Sequence, residues 1–140
     1  MMAVPPRLSP SEAKSRNMAA VRSRDTKPEM VVRRLLHRLG YRYRLHRRDL
    51  PGRPDLVFPG RRAVVFVNGC FWHSHDCAKG RRRPVANAVW WEKKLADNRA
   101  RDEAAVRSLE ADGWRVLTVW ECATRDLERL SDELRTFLGR

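Results

Sequence analysis

The chain has 140 residues, with 30 Lys and Arg against 17 Asp and Glu, for a formal charge of +13. That length suits a single domain with a proper core and argues against a two-domain enzyme. No apolar run reaches bilayer length, and Met1–Pro10 has no apolar stretch of the secretion-signal kind, so a soluble, cytoplasmic protein without a membrane partner is expected.

Residues 1–14 read as a disordered arm, rich in proline and serine and lacking periodicity, and residues 15–140 as one folded domain. Thr26-Lys27-Pro28-Glu29 has the form of a helix start, with Val31, Leu35, Leu36 and Leu39 at helical spacing and Gly40 as the stop, which predicts a helix over 27–39. Tyr41–Leu45 alternates like a half-buried strand, and Leu50-Pro51-Gly52 marks a turn. Asp55 opens a strand, Leu56-Val57-Phe58, and Pro59-Gly60 leads into Ala63-Val64-Val65-Phe66-Val67, apolar throughout and therefore predicted to be central. A long helix is expected over 87–112, stopped by Gly113, then a strand over Trp114–Trp120. A final amphipathic helix over 125–138 should bury Leu127, Leu130, Leu134, Phe137 and Leu138. This order makes an α/β fold, a mixed β-sheet flanked by helices.

The basic excess is spread along the chain, in Arg33-Arg34, Arg47-Arg48 and Arg81-Arg82-Arg83 among others. Such a field attracts polyanions, although a solvated face alone can carry the same charges. Cys70, Cys77 and Cys122 are all the cysteine present, an odd, low count that fits a reducing compartment. With His75 between the first two, they match a closed Cys3His zinc site, against the plainer reading of unrelated buried thiols and a histidine.

In the long helix, Trp91, Leu95, Asn98, Asp102, Ala105 and Leu109 fall on one stripe, and two of them are polar. A carboxylate on a core-facing stripe needs a partner. One of the many arginines could serve, or His73, in the loop that Asn68-Gly69 opens after the central strand. Asp55 is placed to hold a hard divalent cation such as magnesium. Cation, histidine and carboxylate together are the parts of phosphodiester hydrolysis. Phe71 and Trp72 read either as core or as a wedge between base pairs.

Ser15-Arg16-Asn17-Met18, Pro51-Gly52-Arg53-Pro54-Asp55, Gly69-Cys70-Phe71-Trp72-His73 with His75 and Cys77, Trp91 through Lys94, Asn98 to Arg101-Asp102, and Gly113-Trp114-Arg115-Val116 through Trp120-Glu121-Cys122 resemble the very short patch repair (Vsr) endonuclease family. The resemblance runs from about Ser15 onward. It implies a restriction-endonuclease-like fold and a magnesium-dependent, strand-specific nick beside a T:G mismatch in double-stranded DNA, where 5-methylcytosine has deaminated. By position it makes Asp55 the magnesium ligand, assisted by the main-chain carbonyl of Val67, with His73 the base, Asp102 its orienting partner and Glu29 a nearby acidic residue. It assigns structural zinc to Cys70, His75, Cys77 and Cys122, intercalation to Met18, Phe71 and Trp72, and DNA-facing positions to Lys94 and Asn98. A monomer is expected, with mismatch-repair proteins as further partners.

Asn68 stands where the best-known pattern has a second histidine, and an amide cannot exchange a proton near neutral pH. Rate or pH dependence could therefore differ. Two other readings remain beside mismatch nicking: a restriction-like nuclease of different DNA specificity, and a zinc-stabilised DNA-binding module without catalysis.

Overall fold

The computed structural model describes residues 26–139. The expected arm at 1–14 and Met18 lie outside them. Helix α1 spans Lys27–Leu39, where the Thr26 hydroxyl accepts from the Glu29 amide, Pro28 lies in the first turn, and Gly40 closes the end at a φ of 95°. Only an achiral residue adopts that left-handed conformation cheaply. Leu35 and Leu36 are buried and Leu39 packs on the core as expected, but the buried valine of α1 is Val32, with Val31 half-buried.

Strand β1 is shorter than its alternation predicted. Only Arg44–Leu45 pairs, and Leu45 is exposed because β1 is the edge of the sheet. Strand β2, Leu56–Phe58, is fully buried, and a 3₁₀ turn over Pro59–Arg61 leads into β3, Ala63–Asn68. Helix α2 spans Ala88–Ala111. It leads through Gly113 into β4, Arg115–Trp120, and the last helix, α3, spans Leu127–Leu138 with the Asp126 carboxylate capping its start.

The sheet order is β1-β2-β3-β4, antiparallel for the first two pairings and parallel for β3 with β4. The mixed sheet and its flanking helices are as the element order implied. Because side chains alternate along a strand, the two faces bury different partners. Leu56, Phe58, Val65, Val67 and Val119 pack with Val32, Leu35 and Leu36 of α1 and Leu130, Leu134 and Leu138 of α3. On the other face, Val57 and Val64 meet Leu109 of α2 and Trp114. β3 is covered on both faces, which accounts for its unbroken apolar run.

Leu127 departs from the expected buried stripe, since it opens α3 at 40% exposure while Leu134 is at 0%. Truncating Leu134 to alanine should therefore cost roughly 2–5 kcal/mol, and the same change at Leu127 about 0.5 kcal/mol or less. Denaturant unfolding of the two variants checks the contrast.

Candidate functional site

Two clusters of ligand-type side chains lie at the end of the sheet where β2 begins and β3 and β4 finish. The first follows from the parallel pairing. Asn68 is aligned with Trp120, so two residues later Cys70 and Cys122 meet, and the Cys122 amide donates to the Cys70 sulfur at 3.4 Å. The intervening loop folds back on itself, with the His75 amide donating to the Cys70 carbonyl at 3.0 Å and that of Cys77 to the His75 carbonyl at 2.8 Å. Gly80 closes the turn because a side chain there has no room: a Cβ would stand 1.9 Å from the His75 carbonyl oxygen.

The ligand atoms of Cys70, His75, Cys77 and Cys122 all lie within 4.8 Å of one another. His75 Nδ1 is 3.7 Å from the Cys70 sulfur and 3.5 Å from that of Cys122. Ligands of a tetrahedral zinc with bonds of about 2.3 Å are separated by about 3.8 Å, so this set fits that ion. Cys70 is buried and the other two thiols are half-buried. Burial pushes the Cys70 thiol up to about 12, whereas the Gly80 amide pulls Cys77 below the ordinary thiol range.

The second cluster joins Glu29, His46 and Asp55, whose ligand atoms also lie within 4.8 Å of one another. Asp55 is held against β3 by the Val67 amide, which donates to Oδ2 at 2.7 Å. Glu29 reaches the cluster from the first turn of α1, at 1% exposure. Its carboxylate lies 2.7 Å from His46 Nε2 and 3.5 Å from Arg33 Nη1. The Asp55 carboxyl is raised to about 7, first by desolvation and then by the Glu29 carboxyl beside it, against the opposing Val67 hydrogen bond. An oxygen-rich rim of two facing carboxyls fits a hard divalent cation, which would relieve their repulsion.

Helix α2 braces the loop of the first cluster through its polar pair. Asp102 takes the Nδ1 side of His73, so the partner is the histidine and not an arginine. Asn98 donates to the Trp72 carbonyl at 3.0 Å, holding the same loop. The backbone places His73 by its amide, which donates to the Gly69 carbonyl at 3.3 Å. Trp120 stacks on His75 at 4.2 Å and lies edge-on to His73 at 6.3 Å. With Nδ1 engaged by Asp102, Nε2 is the nitrogen of His73 that could accept a proton from a bound group.

Phe71 and Trp72 are half-buried and share ring contacts with Trp91 at 5.3 and 5.6 Å. They therefore form a rim cluster supported by α2, neither a full core nor a bare wedge. Lys94 is half-buried on α2, and Asn68 is the last residue of β3. His46 is the site residue that sequence reasoning missed. Its signal is the hairpin register, in which Arg44 faces Val57 and Leu45 faces Leu56, so that His46 falls opposite Asp55.

A carboxylate rim and a histidine–aspartate pair at one end of the sheet, on a basic protein, are groups of the kind that hydrolytic nucleases use. A family model described as DNA mismatch endonuclease Vsr matches residues 8–79, about half of the chain. The chain is 52% identical over 132 residues to the Type II nicking enzyme V.XorIIP of Xanthomonas oryzae, covering 94% of this chain and 96% of that one. It is 42% identical over 123 residues to the DNA mismatch endonuclease Vsr of Escherichia coli, covering 88% and 78%. Against the Type II nicking enzyme V.NaeI of Lentzea aerocolonigenes, it is 46% identical over 113 residues, covering 77% and 67%. The chain belongs to the Vsr family of DNA endonucleases. Among its described residues, no helix is long and apolar enough to cross a membrane.

The raised Asp55 gives a signed stability effect. Its folded-state value of about 7 exceeds the ordinary carboxylate value of about 3.9, so the folded chain holds a proton that the unfolded chain has released, and stability falls as pH rises across that window. In Asp55→Asn this loss should be absent. Thermal unfolding without added divalent cations should show the variant gaining on the unsubstituted chain from pH 4 to 7 and levelling off above.

Proposed function

We propose that this protein nicks one strand of double-stranded DNA beside a T:G mismatch left by deamination of 5-methylcytosine, with magnesium at Asp55 and zinc at Cys70, His75, Cys77 and Cys122. The observation that carries this reading is the His73–Asp102 pair, whose histidine lies on the loop of the thiol cluster, at the end of the sheet where Asp55 sits, and whose carboxylate comes from α2. When bound, the magnesium ion neutralises charge on the scissile phosphate. Asp55 would hold the ion through a carboxylate oxygen, with the Val67 carbonyl and Glu29 as the neighbouring oxygen donors. His73 Nε2 takes the proton of the attacking water, while Asp102 fixes the tautomer and orientation of the ring. Asn68 supplies an amide that hydrogen-bonds phosphate and takes no part in proton exchange.

Phe71 and Trp72 open the duplex next to the mismatch, braced by Trp91. Met18, outside the described residues, is assigned to the same task. Lys94 faces the phosphate backbone, and Asn98 acts chiefly by holding the loop through Trp72. A basic chain acting in this way works in the cytoplasm on the nucleoid, as a monomer, with mismatch-repair proteins as partners. Relatives named Type II nicking enzymes share strand nicking in their names without stating a mismatch, so the test includes fully paired DNA.

In the presence of magnesium, a labelled T:G duplex should be cut in one strand and its paired counterpart left intact. Equal cutting of both would replace this reading with a restriction-like specificity. His73→Ala should lower the single-turnover rate by about 10²–10⁴-fold, and Asp102→Asn by about 10–100-fold. Both should leave binding of the T:G duplex nearly unchanged in a gel-shift titration. Unaltered cutting by His73→Ala would remove the imidazole from the mechanism.

A further inference from the structure

His46 takes no part in the reading above, yet it is built into the carboxylate rim. The pairing of β1 with β2 runs on for one more residue, and the His46 amide donates to the Asp55 carbonyl at 3.1 Å. At that point the backbone enters the left-handed region, with a φ of 49°, a conformation uncommon for a side-chain-bearing residue and one met at functional sites. The imidazole comes to rest with Nε2 2.7 Å from the Glu29 carboxylate, and its side chain is only 17% exposed. The ring is thus turned in toward a nearly inaccessible acid, away from the water that a surface histidine on an edge strand would reach.

Donor chemistry gives this placement a consequence. Magnesium binds through oxygen and parts reluctantly with its water, while imidazole nitrogen favours first-row transition ions. Two ligand atoms at adjacent corners of an octahedral ion with bonds of about 2.1 Å lie about 3 Å apart, close to the 2.7 Å between His46 Nε2 and Glu29 Oε2. The ligand atoms of Glu29, His46 and Asp55 all lie within 4.8 Å of one another, so side-chain adjustment alone would bring the three to one ion. We infer that His46 is a nitrogen ligand of the cation held at Asp55, so that this site takes a transition-metal ion of the Mn2+ type in preference to Mg2+. The inference rests on the proposed metal role of Asp55. It adds a ligand and a metal class to it.

The test uses the full chain, zinc-loaded so that the thiol cluster is filled, with Mn2+ as the probe. Pulsed electron paramagnetic resonance of the bound Mn2+ should show the nitrogen modulation of a coordinated imidazole, and that modulation should vanish in His46→Gln, which keeps an amide to hydrogen-bond Glu29. Calorimetry should show Mn2+ binding weakened about 10-fold or more in His46→Gln, Mg2+ binding changed far less, and Mn2+ preferred by the unsubstituted chain. Binding that depends on Asp55, as judged by its loss in Asp55→Ala, but without nitrogen modulation would overturn the inference and leave the metal role of Asp55 standing. Modulation that persists in His46→Gln would have the same effect, assigning the nitrogen to another ring. Mn2+ binding indifferent to Asp55→Ala would overturn both. Should His46→Gln fold poorly, His46→Asn takes its place with the same expected loss of modulation, and a spectrum of the unsubstituted chain without modulation overturns the inference in either case.

Discussion

The parallel pairing of β3 with β4 is the constraint on which the functional end of this molecule depends. Its register sets residues 63–68 against 115–120, and continuing that alignment past both strand ends brings Cys70 to Cys122. No other arrangement of these two strands would place a thiol from the last third of the chain beside the loop that contains His73. The pairing is held by burial on both faces: α1 and α3 cover one side of the sheet and α2 the other, and parallel strands are stable chiefly in such covered sheets. A packing requirement deep in the core therefore fixes a ligand geometry at the rim.

From that rim, three kinds of interaction converge on one imidazole. The thiol cluster ties down the loop, α2 supplies Asp102 to Nδ1 and Asn98 to the Trp72 carbonyl, and Trp120 lies between the two histidine rings. Asp55 and Glu29 are held by different elements, the Val67 amide and the first turn of α1, and burial, with the Glu29 carboxyl beside it, weakens Asp55 as an acid. The proposed division of labour follows from this geometry. One metal would fasten a loop through the thiol cluster, and another would be held at Asp55 where the phosphate would lie. The formal charge of +13, most of it arginine, is of the sign that attracts a polyanion.

Much of this was legible in the sequence because it is written in local pattern. The caps of α1, at Thr26 and Gly40, mark its limits to the residue. The polar members of the α2 stripe, Asn98 and Asp102, pointed to a buried partner, and the structure supplies the loop and His73. What was not legible depends on register or on edges. Tyr41–Leu45 alternates like a strand, but as the sheet's edge it needs only Arg44 and Leu45 to pair. Leu127 fits a helical stripe by spacing, yet as the first residue of α3 it is 40% exposed. His46 carries no local signal, since its role arises from lying opposite Asp55 and from one left-handed residue.

The central claim is that a metal clamp closed by the β3–β4 register holds His73 in working position. It is tested most directly by Cys122→Ser, which removes one ligand contributed by β4's end without touching the loop or the carboxylate rim. The account predicts that this variant loses its zinc and about 100-fold or more of its T:G nicking rate, while still binding a divalent cation through Asp55. Full nicking by Cys122→Ser with no zinc bound would contradict it.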